Sequence, residues 1–243
     1  MAAGACAAVV AQVANAAPVS LYSQDFDSMT TSATAALPTN WEFFAGATPT
    51  YTGAVTTATT AYAGTSGTGV VNSSSGGGNY EWVNGVLASG TDKAIGFLTS
   101  SSTTGPRSIL FKWTNSTGYD RTTTSVSWDY EKYRSGSRQF DWTFFSSTDG
   151  TTWNSVALGN QSYSADANNT TVSNPPTTIS KSVTVTETVN NGSSLYLRWT
   201  YTGLSGSTNA QGLGVDNFTI VPAPGCAALV GLAGLVASRR RRN

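Results

Sequence analysis

The chain has 243 residues with 11% charged side chains, two cysteines and no histidine, which excludes Ser-His-Asp and Cys-His catalysis, histidine-ligated zinc and imidazole acid–base chemistry. The formal charge of zero is misleading. Setting aside Arg239–Arg242 leaves nine positive groups against thirteen acids, a net charge near −4, which argues against nucleic acid and anionic polymers as partners.

Residues 1–16 read as a signal peptide. Ala2 to Ala14 is uncharged and rich in Ala and Val, and Ala14-Asn15-Ala16 is an A-x-A site that places the cut before Ala17. No basic residue follows Met1, so a start upstream of it is expected. Cys6 falls in this segment and Cys226 near the other end, which leaves the intervening domain without a thiol and predicts no disulfide.

From Ala17 to Val221 no segment carries a 3.6-residue apolar period, whereas period-two runs recur. Thr48 to Gly67 is Thr/Ala-rich and weakly patterned, a surface loop or edge strands. Ser73 to Asn79, with Gly76-Gly77-Gly78, reads as a loop. The clear strands are Ile109-Phe111-Trp113, Val126-Trp128-Tyr130, Phe140-Trp142-Phe144, Val183-Val185 and Leu195-Leu197-Trp199. Their alternate positions are mostly polar, as in antiparallel strands with one face on a core. Asp149-Gly150 marks a hairpin between Phe140–Ser147 and Trp153–Leu158. Around it, Ser147 to Trp153 resembles the Asp-box hairpin of sialidases, which is a structural turn. Many strands without helices predict an all-β domain of two antiparallel sheets, a jelly roll or β-sandwich spanning 17–221.

Several residues are candidates for chemistry or binding. Asp129 and Glu131 occupy the strand face opposite Trp128 and Tyr130, and Lys112, Asp141 and Arg198 occupy the non-core parity of their own strands. In one sheet these five would form a ladder of ion pairs, each worth a few tenths to about 1 kcal/mol. The alternative is a glycosidase cleft with Glu131 as its acid, but Ser127 stands where a second carboxylate is needed, so no catalytic set is complete. Asp25 and Asp27 near the first strand and Asp216 and Asn217 in the last are expected to converge, either on a structural calcium ion or, through Asp216, on Arg198 or Arg134. Asp216 shares parity with Phe218 and Ile220, so its carboxylate is expected to point inward. Trp113, Trp128, Trp142 and Trp199 read as core, which leaves Trp41, Trp82 and Trp153 for stacking on sugar rings.

The last 23 residues differ from the rest. Val221-Pro222-Ala223-Pro224 is followed by an apolar segment, Gly225 to Ser238, and by Arg239, Arg240, Arg241 and Arg242. As a helix, 225–238 is about 21 Å long against a bilayer core of about 30 Å, short for a span and stopped by arginines on the cytoplasmic side. The three-part order resembles the PEP-CTERM sorting signal of exported bacterial proteins, with Ala223 in place of the family's Glu. The resemblance implies an exosortase as processing partner and at least transient membrane anchorage through the helix. It also implies a location at the envelope or outside the cell, beside exopolysaccharide. Asp25-Phe26-Asp27, Leu37-Pro38-x-x-Trp41, Lys93–Gly96, Glu131–Arg134, Leu197-Arg198-Trp199 and Gly212–Phe218 resemble the secreted jelly-roll domains that precede such tails. These domains are concanavalin-like or galactose-binding-like and imply a fold and an address without an enzymatic activity. Exported, non-enzymatic display is thus the expected role. Carbohydrate binding with a structural calcium is the alternative, and glycan hydrolysis or lysis a further one.

Overall fold

A computed structural model of the chain describes residues 19–223 apart from 33, 64–76, 85–89, 100–104, 167–171 and 204–209. The expected signal peptide with Ala14, Ala16 and Ala17, the helix 225–238 and the arginine stop lie outside the described residues, as do Cys6, Cys226 and Pro224. No described helix is long and apolar enough to cross a membrane.

Alternating apolar and polar residues produce strands that stack into two sheets, as expected. The first sheet has eight strands: β1 (Tyr22–Gln24), β2 (Ala35–Ala36), β4 (Thr57–Ala63), β5 (Gly78–Asn84), β6 (Lys93–Leu98), β8 (Thr124–Arg134), β12 (Val172–Val185) and β14 (Gly212–Pro222). Their order is β12-β8-β14-β6-β5-β4-β2, with β1 also paired to β14. The second has six: β3 (Trp41–Ala45), β7 (Arg107–Thr114), β9 (Phe140–Ser147), β10 (Asn154–Ser155), β11 (Gln161–Tyr163) and β13 (Ser194–Gly203). It runs β10-β9-β13-β7-β3, with β11 on β9. Pairing is antiparallel except for β4 on β5, which is parallel, so the wholly antiparallel expectation is corrected there. Gly78 and Asn79, expected in a loop, open β5.

An aromatic layer closes the space between the sheets. Trp128 of β8 meets Phe144 of β9 at 4.4 Å between ring centroids, Trp41 of β3 meets Phe218 of β14 at 5.1 Å, and Phe97 of β6 meets Trp142 of β9 at 6.0 Å. Rings of this size remove large apolar areas from water, and edge-to-face contacts add about 0.5–1.5 kcal/mol per pair. The hairpin expected at Asp149-Gly150 forms: Gly150 has φ 73°, and the Asp149 carboxylate accepts from the Thr151 and Thr152 N–H groups at 2.8 and 2.7 Å.

β14 is the axis of the first sheet. One flank is lined by β8. The other is shared end to end by β6, opposite Leu213–Val215, and β1, opposite Phe218–Ile220. Between the two stretches β14 bulges: Asp216 faces Asp129 and Thr219 faces Ser127, leaving two residues unmatched, with Asn217 at φ 51°. The bulge resets which residues share a face. Phe218 and Ile220 enter the core, while Asp216 shares a face with Gly214, Asp129 and Glu131. The inward placement expected for Asp216 from simple alternation is therefore corrected.

Candidate functional site

Two places on the sandwich carry chemistry. The first is the corner of β14 at this bulge. Asp27 follows β1 where Phe26, in the left-handed region at φ 58°, turns its ring into the core, and Asp27 Oδ1 accepts from the Lys93 backbone N–H at 2.9 Å. That contact ties the end of β1 to the start of β6. Asp92 precedes it and accepts from Asn84 Nδ2 at 2.9 Å. Across β14, Glu131 stands opposite Gly214, and its Oε2 accepts from the Tyr133 hydroxyl. Asp216 is fully buried, and among the described residues neither of its carboxylate oxygens has a hydrogen-bond partner.

Electrostatics follow from this crowding. Burial, then the Glu131 carboxylate, push Asp216 up to about 9 against a weak contact from the Asn217 backbone N–H, with Asp92 and Asp27 adding to the rise. Burial also raises Glu131 to about 7, against the Tyr133 hydrogen bond and with Asp92 and Asp129. Lys93 acts on Asp27 through its charge but makes its contacts elsewhere: its Nζ pairs with Glu81 Oε1 at 3.2 Å and donates to the Met29 carbonyl. The expected arginine partner is absent among the described residues. Arg198 lies in the other sheet, stacked 3.7 Å from the Phe145 ring and 4.9 Å from that of Trp153. Arg134 makes no ion pair among the described residues. The expected quartet also divides. Asp25 and Asn217 line an open depression with Ser23, Gln24 and Thr219, and Asn217 donates to Asp129 at 3.0 Å, while Asp27 and Asp216 join Asp92 and Glu131. No three acidic groups among the described residues stand close enough, as placed, to hold a metal ion.

The predicted charge ladder does not form, because its members are in different sheets: Asp129 and Glu131 in the first, Lys112, Asp141 and Arg198 in the second. The sugar-contact tryptophans are corrected as well. Trp41 is 2% exposed and stacked on Trp199. Trp82 is fully buried, its Nε1 donating to the Leu213 carbonyl at 3.1 Å. It lies against the glycines of β14, where a Cβ on Gly212 would come within 2.8 Å of its ring. Trp153 is half-buried and donates to the Pro49 carbonyl at 2.7 Å.

The second place is a cleft of about 510 Å³ on the outer side of the six-stranded sheet, beside Trp41 and lined by Thr39, Asn40, Tyr51, Thr52, Lys112 and Tyr196 among others. Tyr196 and Lys112 face each other across β13 and β7, with the Lys112 ammonium 5.9 Å from the Tyr196 ring centroid. Tyr51 comes from the loop after β3, its ring 5.3 Å from Tyr196 and tilted by 57°. A buried carboxylate pins that loop. Glu42 accepts from Thr52 N and Oγ1 at 2.9 and 3.1 Å and from Ala54 N at 3.0 Å, and Tyr51 N donates to the Gly150 carbonyl at 3.0 Å. The result is a prearranged wall of two half-exposed tyrosines over an ammonium, with amide and hydroxyl groups at the rim. Apolar ring faces with a few fixed polar groups suit a small polar ligand with its own apolar faces. Tyr196 and Lys112 were recoverable from strand parity. Tyr51 and Glu42 had no such signal, since Tyr51 lies in the weakly patterned segment and Glu42 looks like any solvent-facing strand acid.

No family model matches the chain, and no curated protein does. Among solved structures it is similar to the K1 cleaved adhesin domain of Lys-gingipain from Porphyromonas gingivalis W83, at 11% identity and TM-score 0.42, covering 82% of this chain and 96% of that one. It is also similar to the carbohydrate-binding module TmCBM61 in complex with β-1,4-galactotriose, at 9% identity and TM-score 0.30, covering 54% and 71%. A third is the CBM22-1–GH10 pair of Clostridium thermocellum xylanase 10B complexed with xylohexaose, at 10% and 0.30, covering 62% and 26%. Likenesses this distant carry no assignment of function.

Proposed function

We propose that the chain is a non-catalytic, exported β-sandwich protein that binds a polysaccharide through the tyrosine cleft. The observation that carries this reading is the Tyr51–Tyr196 wall over Lys112, held in place by Glu42 before any ligand arrives. Tyrosine faces stack against the C–H faces of a pyranose. Lys112, Asn40 and Thr52 offer donors to its hydroxyls, and a preset wall spares the ligand the cost of ordering it. The tail supports export and sorting: Val221 to Pro224, the apolar run and Arg239 to Arg242 fit a processing signal read by an exosortase, with exopolysaccharide as the natural ligand pool.

A glycan array followed by calorimetric titration tests the binding. Tyr51→Ala and Tyr196→Ala each lower affinity by about tenfold or more while the melting temperature holds. Binding that is indifferent to both substitutions, or no glycan bound at all, overturns the reading.

A further inference from the structure

We infer that the β14 corner formed by Asp27, Asp92, Glu131 and Asp216 binds a hard divalent cation of the calcium type. This site is independent of the tyrosine cleft. Three strand connections bring these acids together: the gap between β1 and β6 on one flank of β14, the β8 register on the other, and the bulge that turns Asp216 out of the core. At the centre is a fully buried carboxylate with both oxygens unpartnered among the described residues. A buried carboxylate without hydrogen bonds costs several kcal/mol, so it must find a counter-charge or a proton. A proton answers only half of the need: it neutralises Asp216 but leaves its second oxygen bare and the charges of its neighbours unanswered. An oxygen-ligated cation satisfies both and also relieves the repulsion among the four acids.

The protein's own cations do not take this place. Lys93, the closest in sequence, commits its ammonium to Glu81 and Met29. The ligand set is all oxygen, which selects calcium or magnesium over zinc or copper. It combines two strand-fixed acids, Glu131 and Asp216, with two nearer the surface, Asp27 and Asp92. The surface pair can turn about their side-chain bonds to complete the shell, which favours the flexible coordination of calcium over the strict octahedron of magnesium.

Chelator-treated full-length protein, titrated with CaCl2 at pH 8, provides the test. A hundredfold excess over the dissociation constant raises the melting temperature by about 5–10 °C, and MgCl2 raises it less. Asp216→Asn abolishes the rise and Asp25→Asn keeps it, because Asp25 lines the open depression instead. If Asp216→Asn does not fold, Glu131→Gln decides, with a reduced calcium response. Terbium gives a second readout, since Trp82 lies against Gly214 beside the site and sensitises emission from an ion held there. A melting temperature that ignores calcium overturns the proposal, as does a calcium response or terbium emission that survives Asp216→Asn.

Discussion

At the residue scale, the acids of the β14 corner set a pH dependence whose sign is fixed by burial. Glu131 and Asp216 both titrate higher in the folded chain than when exposed, Glu131 at about 7 and Asp216 at about 9. In the unfolded chain they release their protons near pH 4, so between that pH and the folded values the native state holds more protons than the unfolded one. Stability without a cation is therefore fully present below about pH 4 and falls as pH rises above it, the Glu131 share being lost by about 7 and the Asp216 share by about 9. Thermal melts in chelator are expected to show a higher melting temperature at pH 5 than at pH 8. Glu131→Gln removes its share of the decline between about pH 4 and about 7, and a decline of undiminished size across that window in the variant sinks the assignment. The identities of these residues were partly legible in the sequence: Asp27, Asp216 and Glu131 stood out as acids beside strands. Their company was not. Asp92 had no pattern to mark it, and the bulge after Asp216 reversed the face that alternation assigned. Trp41 and Trp82 show the same limit from the other side. A tryptophan outside a clean period-two run looks available, yet Trp82 is buried because Gly212 and Gly214 open a flat bed for it on a strand more than a hundred residues away.

At the element scale, the loop after β3 depends on one carboxylate. Glu42 collects three hydrogen bonds from Thr52 and Ala54, and bonds to a charged acceptor are worth about 1.5–3 kcal/mol each at most. Glu42→Ala is expected to lower stability by about 2–4 kcal/mol in urea melts. It should weaken glycan binding beyond what either tyrosine substitution does alone, because the whole loop loses its anchor. Unchanged binding in a folded Glu42→Ala protein separates the loop from the site and removes the preset wall from the argument. The strands themselves were the most legible part of the chain. All five period-two runs lie within strands, and their tryptophans at 113, 128, 142 and 199 face the core, because burying one face of a sheet imposes its period directly on the sequence. Which sheet each strand joins is a long-range pairing that no local pattern records. The ladder expected across Lys112, Glu131 and Arg198 therefore divided between two sheets.

At the scale of the whole molecule, the last strand decides how the sandwich relates to its tail. β14 runs through the middle of the first sheet, and its pairing with β8 continues to Val221 opposite Ser125 and Pro222 opposite Thr124. The first two residues of the Val-Pro-Ala-Pro motif thus lie in the last strand of the sheet. Proline at the last paired position is compatible with this, since no further ladder bond is asked of its nitrogen. Every described strand is complete by Ala223, so a chain ending there retains the full core of both sheets and the β14 corner. Such a truncation, with residues 224–243 removed, is expected to melt within a few degrees of the full chain and to keep its glycan affinity and calcium response. Truncation at Asn217 instead removes Phe218 and Ile220 from the core and the strand that β1 pairs with, at a cost of several kcal/mol from the Phe alone. It should not fold. If removal of 224–243 unfolds the sandwich, the tail belongs to the domain and a processing signal is the wrong description of it. If the shortened chain is stable, a processing enzyme can cut beyond Pro222 without peeling β14 from the sheet, and the released domain carries both proposed binding sites with it.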